Sequence, residues 1–115
     1  MNKQDLSIEG VYFLVTYLDR ELLVPKIDTC MYLGMDILQV DGSYYFQDAE
    51  TYHDNGKWLP GLDTLEFKIL CMKEDFLENV FDYSGLQRQI ELIKKAGQNI
   101  TNNITALQWR LPRAL

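Results

Sequence analysis

Between Lys26 and Lys57 the chain has neither lysine nor arginine. Its 115 residues also hold only one histidine, His53, and two cysteines, Cys30 and Cys71. Each scarcity excludes something. A histidine base needs a nucleophile beside it, and no nucleophile motif surrounds Ser7, Ser43 or Ser84. Two distant cysteines outside any C-x-x-C spacing support neither a disulfide nor a zinc site, and their apolar neighbours predict two buried free thiols. The glycines are scattered at 10, 34, 42, 56, 61, 85 and 97, so no phosphate-cradling loop exists. No stretch approaches the roughly 18 apolar residues that span a bilayer. Met1 to Asp5 show no apolar signal core, which makes the cytoplasm the expected compartment and leaves the Asn-Ile-Thr tripeptides at 99 and 103 without consequence.

What the chain does carry is acid and hydrophobic surface. Hydrophobic residues make up 47% of it, a globular fraction, and the length suits one domain over residues 1–115. The formal charge is −6, which disfavours nucleic acid or an anionic membrane as partner, since both reward positive charge. Residues 84–115 carry Arg88, Lys94, Lys95, Arg110 and Arg113 against Glu91, so the acidity belongs to the first two thirds. Within the cation-free span lie Asp28, Asp36, Asp41, Asp48, Glu50 and Asp54, interleaved with Tyr32, Tyr44, Tyr45, Phe46 and Tyr52. A one-signed surface with aromatic anchors suits a cationic macromolecule, because charge steers the encounter and rings supply contact area.

From Ser7 to Leu23, Ile8, Val11, Val15, Leu18 and Leu22 recur at spacings of 3 and 4 and predict a helix capped by Ser7 and stopped by Pro25. The run from Val11 to Val15 is rich in β-formers, so a strand stays open there. Residues 29–54 read as a β-hairpin turning at Asp41-Gly42-Ser43. A two-residue turn would drive Asp48 and Glu50 into the core, which is costly. A three-residue loop with glycine in the left-handed position avoids this. That register puts Asp36 opposite Asp48 and gathers Tyr32, Asp36, Phe46, Asp48, Glu50 and Tyr52 on one outward face. Opposed like charges destabilise a strand pair, so the face suits a task other than stability.

A third strand is expected where Leu65, Phe67, Ile69 and Cys71 alternate with polar residues, and a short helix over 73–82 with Phe76, Leu77, Val80 and Phe81 inward. Ser84 would cap a helical segment whose apolar stripe is Leu86, Ile90, Ile93, Ile100, Ile104, Leu107 and Leu111. Gly97 falls on that stripe after Lys94 and Lys95, so one kinked helix and two hinged helices both remain open. The fold class is α+β: a small antiparallel sheet, hairpin plus third strand, packed against N-terminal and C-terminal helices.

No catalytic residues, cofactor or metal site are expected. Asp48, Glu50 and Asp54 on a strand stand roughly 7 Å apart per two residues, too spread for one ion. The basic C-terminal segment is too dilute for a nucleic-acid patch.

With Tyr-Tyr-Phe-Gln-Asp-Ala-Glu-Thr-Tyr at 44–52, Trp58 after it and an amphipathic tail, this small acidic α+β chain resembles bacterial immunity proteins encoded beside polymorphic toxins, including those of contact-dependent growth inhibition. The resemblance implies no catalytic set. It implies a cytoplasmic protein that binds one cognate basic toxin domain, often a nuclease, and blocks it. On this reading Asp36, Asp48, Glu50 and Asp54 stand in for phosphates, and Tyr32, Phe46 and Tyr52 are anchors. Two other readings stay open: an adaptor that binds an unrelated basic partner, alone or through its own dimer, and a small enzyme with an acidic site around Asp48, Glu50 and His53.

Overall fold

The structure is a computed structural model that describes the backbone of residues 1–108 and the side chains of residues 1–97. It is an α+β fold built on a five-stranded antiparallel sheet. The strands are β1 (Val11–Tyr17), β2 (Pro25–Met35), β3 (Tyr44–Asp48), β4 (Ile69–Met72) and β5 (Val80–Phe81), and the order across the sheet is β4-β3-β2-β1-β5. Two α-helices accompany them, α1 (Ala49–Asn55) and α2 (Tyr83–Gln108). The first four strands form a meander. A 3-10 turn, Glu74–Asn79, then carries the chain back to the opposite edge, where β5 pairs with β1.

The predicted N-terminal helix is strand β1. Its residues alternate between the two faces, and both faces are covered, so Tyr12, Phe13, Leu14 and Val15 are all buried in sequence. A strand buried on both sides reads as an unbroken apolar run and loses its period of two. The flanks of the supposed helical stripe, Ile8, Leu18 and Leu22, are 64%, 72% and 56% exposed.

One face of the sheet holds the main core, with Tyr12, Leu14, Cys30, Tyr32, Tyr44, Phe46, Met72 and Val80 contributed by all five strands. Leu77 of the crossover turn closes over it, 1% exposed. Phe46 is the hub: its ring meets Tyr12 edge-on at 6.3 Å between centroids and Tyr32 at 5.1 Å. Such tilted contacts set the positive ring edge against the negative face. The Tyr12 hydroxyl is satisfied by the Ser7 amide, which donates at 2.7 Å, and by the Asp5 carbonyl.

The other face is covered in two places. α2 lies against β1 and β5, where the Tyr83 ring meets Phe13 at 4.9 Å and the Gln89 amide donates to the Tyr17 hydroxyl at 2.8 Å. Trp58 packs on Leu33 and Tyr45. Gln47, fully buried on β3, anchors the segment before Trp58: its Nε2 donates to the Gly56 carbonyl at 2.9 Å, and its Oε1 accepts from the Trp58 amide at 2.8 Å. A buried amide group of this kind is stable because both ends have partners.

The turn between β2 and β3 is wider than three residues. β2 ends at Met35, β3 starts at Tyr44, and a bulge between Tyr32 and Gly34 shifts the pairing. Tyr32 therefore lies opposite Phe46, and Asp48 lies opposite Cys30 rather than Asp36. β4 begins later than expected and places Leu70 and Met72 inward, so Cys71, expected to be buried, is exposed. The 73–82 helix is the 3-10 turn followed by β5. α2 runs unbroken through Gly97, and Asp82 rather than Ser84 caps it, its Oδ1 accepting from the Gly85 amide at 2.7 Å. The side chains of Ile100, Ile104, Leu107 and Leu111 lie outside the described residues.

Candidate binding surface

The seven residues expected on one outward face do not share one. Tyr32 and Phe46 are on the same side of the sheet, but that side is the core, where they are 7% and 0% exposed. Buried rings of this kind hold the sheet together and are out of reach of a partner. Burial also raises the Tyr32 phenol, with Tyr44, Tyr12 and Asp36 adding to it.

Asp36 sits in the turn at φ 56°, and its Oδ1 accepts from the Asp41 and Gly42 amides at 3.1 and 2.7 Å. Aspartate tolerates the left-handed region better than most residues because its short carboxylate bonds locally. The strand expected to continue through Tyr52 ends at Asp48, whose side chain accepts from the Thr51 amide and starts α1. Aspartate followed by Ala49-Glu50-Thr51 is a helix-start pattern, and the cap prevails over the β-character of Thr51 and Tyr52. Glu50 and Asp54 are exposed on α1, and Tyr52 is half-buried there.

Asp19, Asp36, Asp41, Asp48, Asp63 and Asp82 all accept backbone N–H groups in turns or at helix starts. The Val24 amide, chief among the Asp19 partners, holds that carboxyl below its ordinary value. The Ser43 hydrogen bond, assisted by Lys73, does the same for Asp41. Much of the acidity that the composition displays is therefore local folding chemistry.

What remains for a partner is a smaller surface. Glu50 and Asp54 are four residues apart on α1, hence on one helix face. The Asn55 amide donates to the Glu66 carbonyl at 2.8 Å and ties the end of α1 to the Thr64–Glu66 3-10 turn. This brings Asp63 and Glu66, both exposed, beside α1. Leu59, Leu62 and Leu65 of the same loop are 53%, 47% and 90% exposed. Among the described residues Glu50, Asp63 and Glu66 have no cation within 4.0 Å, and Asp54 meets only the His53 ring at 3.2 Å. Asp63, Glu66 and the three leucines were legible in the sequence as a second cation-free run, from Trp58 to Phe67, beyond the span that drew attention.

Cys30 is buried with its Sγ 3.5 Å from the Tyr12 carbonyl. Burial pushes its thiol up to about 12, and the Asp28 and Asp48 carboxylates add to the shift. It is an inert core thiol, since the thiolate is the reactive form. Among the described residues no three His, Cys, Asp or Glu side chains converge as metal ligands, and no helix is long and apolar enough to cross a membrane. The chain matches no protein-family model, no curated protein and no solved structure.

Proposed function

We propose that the chain is a binding protein that neutralises a cationic protein domain, in the manner of the bacterial immunity proteins it resembles. The surface is that of α1 and residues 59–66. The observation that carries this reading is the Glu50–Asp54 pair. Like charges at i and i+4 destabilise a helix by about 0.2–0.5 kcal/mol; Glu50 in the first turn suits the helix dipole, whereas Asp54 in the last turn opposes it. Neither carboxylate is recruited for a cap, unlike the six aspartates described above. Exposed acids that serve no cap or turn, one of them against the helix dipole, are free for a cationic partner. The exposed leucines beside them supply the apolar contact that such an interface needs at its centre.

The test uses the C-terminal domain of the protein encoded directly upstream of this gene, the place where an immunity gene has its cognate toxin. Its association is measured with the wild-type chain and with the Glu50→Gln, Asp54→Asn, Asp63→Asn, Glu66→Gln variant; Asn at 63 keeps the cap. Electrostatic steering at low salt is worth about tenfold or more in association rate. The variant should lose that factor and most of its salt dependence, with thermal stability unchanged or slightly raised. An unchanged rate and salt slope would place the interface elsewhere. No binding by the wild type would remove the inhibitor reading.

A further inference from the structure

We infer that β4 is the joining edge of a homodimer, in which the sheets of two copies of this chain meet antiparallel, β4 to β4, and continue into one another. β4 stands at the end of the sheet order, and β3 is the strand that pairs with it. The Asp48 amide donates to the Lys68 carbonyl at 2.8 Å. Bonded residues alternate along an antiparallel ladder, so Leu70 and Met72 commit their backbone groups to β3, and Ile69 and Cys71 turn theirs outward. Cys71 is exposed. From Ile69 to Met72 the strand has no proline and no charge, and its pairing with β3 runs without a bulge. Those are devices by which sheets keep an edge from pairing.

The backbone selects both the occupant and its register. Ile69 and Cys71 satisfy each other across a two-fold axis at Leu70: Ile69 faces Cys71 of the second copy, and Cys71 faces its Ile69. Each pair then exchanges both N–H···O bonds. An axis at Ile69 or at Cys71 would instead call on the outward groups of Phe67 or Lys73. Those are taken: the Phe67 amide donates to the Thr64 carbonyl at 3.2 Å, and the Lys73 carbonyl accepts from the Phe76 amide at 3.1 Å. Charge agrees with the axis at Leu70, since Lys68 then faces Met72 and Lys73 faces Phe67, and no two lysines are opposed. β4 is therefore complementary to itself.

The side chains fit the same axis. Leu70 and Met72 lie on the main-core side of the sheet and Ile69 on the Trp58 side. Leu70 is half-buried and borders a groove of about 480 Å3 that it lines with Leu14, Met72 and Phe76, beside Lys73 and Asp75. Phe76 is 40% exposed. Across the axis Leu70 meets Leu70 of the second copy at this groove, and on the other face Ile69 meets Cys71, so the pairing covers apolar surface on both sides of the sheet. The opposite end of the sheet, β5, is two residues long and has α2 against it. Addition at β4 therefore closes at two copies, as an isologous contact does.

The full chain is tested by sedimentation across a wide concentration range. The expected result is a monomer–dimer equilibrium, with the dimer gaining as concentration rises. Cys71→Pro removes an outward amide and no bond to β3, a place where an edge strand accepts proline. Cys71→Lys sets a charge against Ile69 of the second copy. Both should hold the chain monomeric with its near-ultraviolet dichroism retained; should proline unfold it, the lysine variant decides. A monomer at every wild-type concentration would overturn the inference, as would a dimer that survives Cys71→Lys. Disulfide trapping reads the axis. Leu70→Cys in a Cys71→Ser background should cross-link, because facing Cα atoms in a non-bonded pair lie about 4.5 Å apart. Cys71 of the wild type stands roughly 9 Å from its mate across the axis and should not. Cross-linking by Cys71, or none by Leu70→Cys, would overturn the axis at Leu70.

Discussion

Aspartate is used in this chain mainly as a backbone acceptor, and this changes what its substitution should do. Asp36 holds two amides from a positive-φ position. Asp36→Asn keeps an acceptor and tolerates that conformation. Asp36→Ala loses both, and by comparison with helix caps it should cost about 1–2 kcal/mol in urea unfolding. If partner association also falls with Asp36→Asn at unchanged stability, Asp36 contacts the partner after all. Cys30 makes a second residue-scale prediction. An unfolded cysteine releases its proton near pH 9, whereas folded Cys30 keeps its proton up to about 12. Between those values the unfolded state holds fewer protons, so stability falls as pH rises, by about 1.4 kcal/mol per pH unit for one proton. The Tyr32 phenol, also raised, acts in the same direction. Urea midpoints from pH 9 to 11 should fall less steeply for Cys30→Ala than for wild type. Equal slopes would show that Cys30 titrates normally. The candidate anchors Tyr32 and Phe46 were legible as a same-face pair but not as core, because the side of a sheet that meets water is set by what packs on it.

The elements were legible where a local signal was unopposed. α2 lies where a helical stripe puts it, and the lysines before Gly97 did not end it; β4 occupies only the end of the expected third strand, with Leu70 and Met72 rather than Cys71 turned to the main core. β1 was misread because a strand covered on both faces has no alternation left to see. The second half of the hairpin was misread because Asp48 turns the chain into α1, a cap decision that a β-rich composition conceals. The docking of residues 56–58 onto β3 rests on one side chain, Gln47. Gln47→Leu keeps the volume and strands the Trp58 amide without an acceptor, which should cost about 1–3 kcal/mol. The check is a lower urea midpoint at unchanged m-value. A neutral result would mean that water replaces the glutamine, and that the loop is held by Trp58 alone.

At the scale of the whole molecule the exposed acids and leucines gather on α1 and the loop after it. The sequence by itself determined the α+β class, the acidic first two thirds and the helical character of the C-terminal segment. Those are properties of composition and local period, which need no partner across the fold. Tertiary structure alone decided which acids are structural and which are free, which aromatics are core and how wide the β2–β3 turn is. Each of these depends on a backbone amide or a second face brought near by distant chain, and no local pattern records what will arrive there.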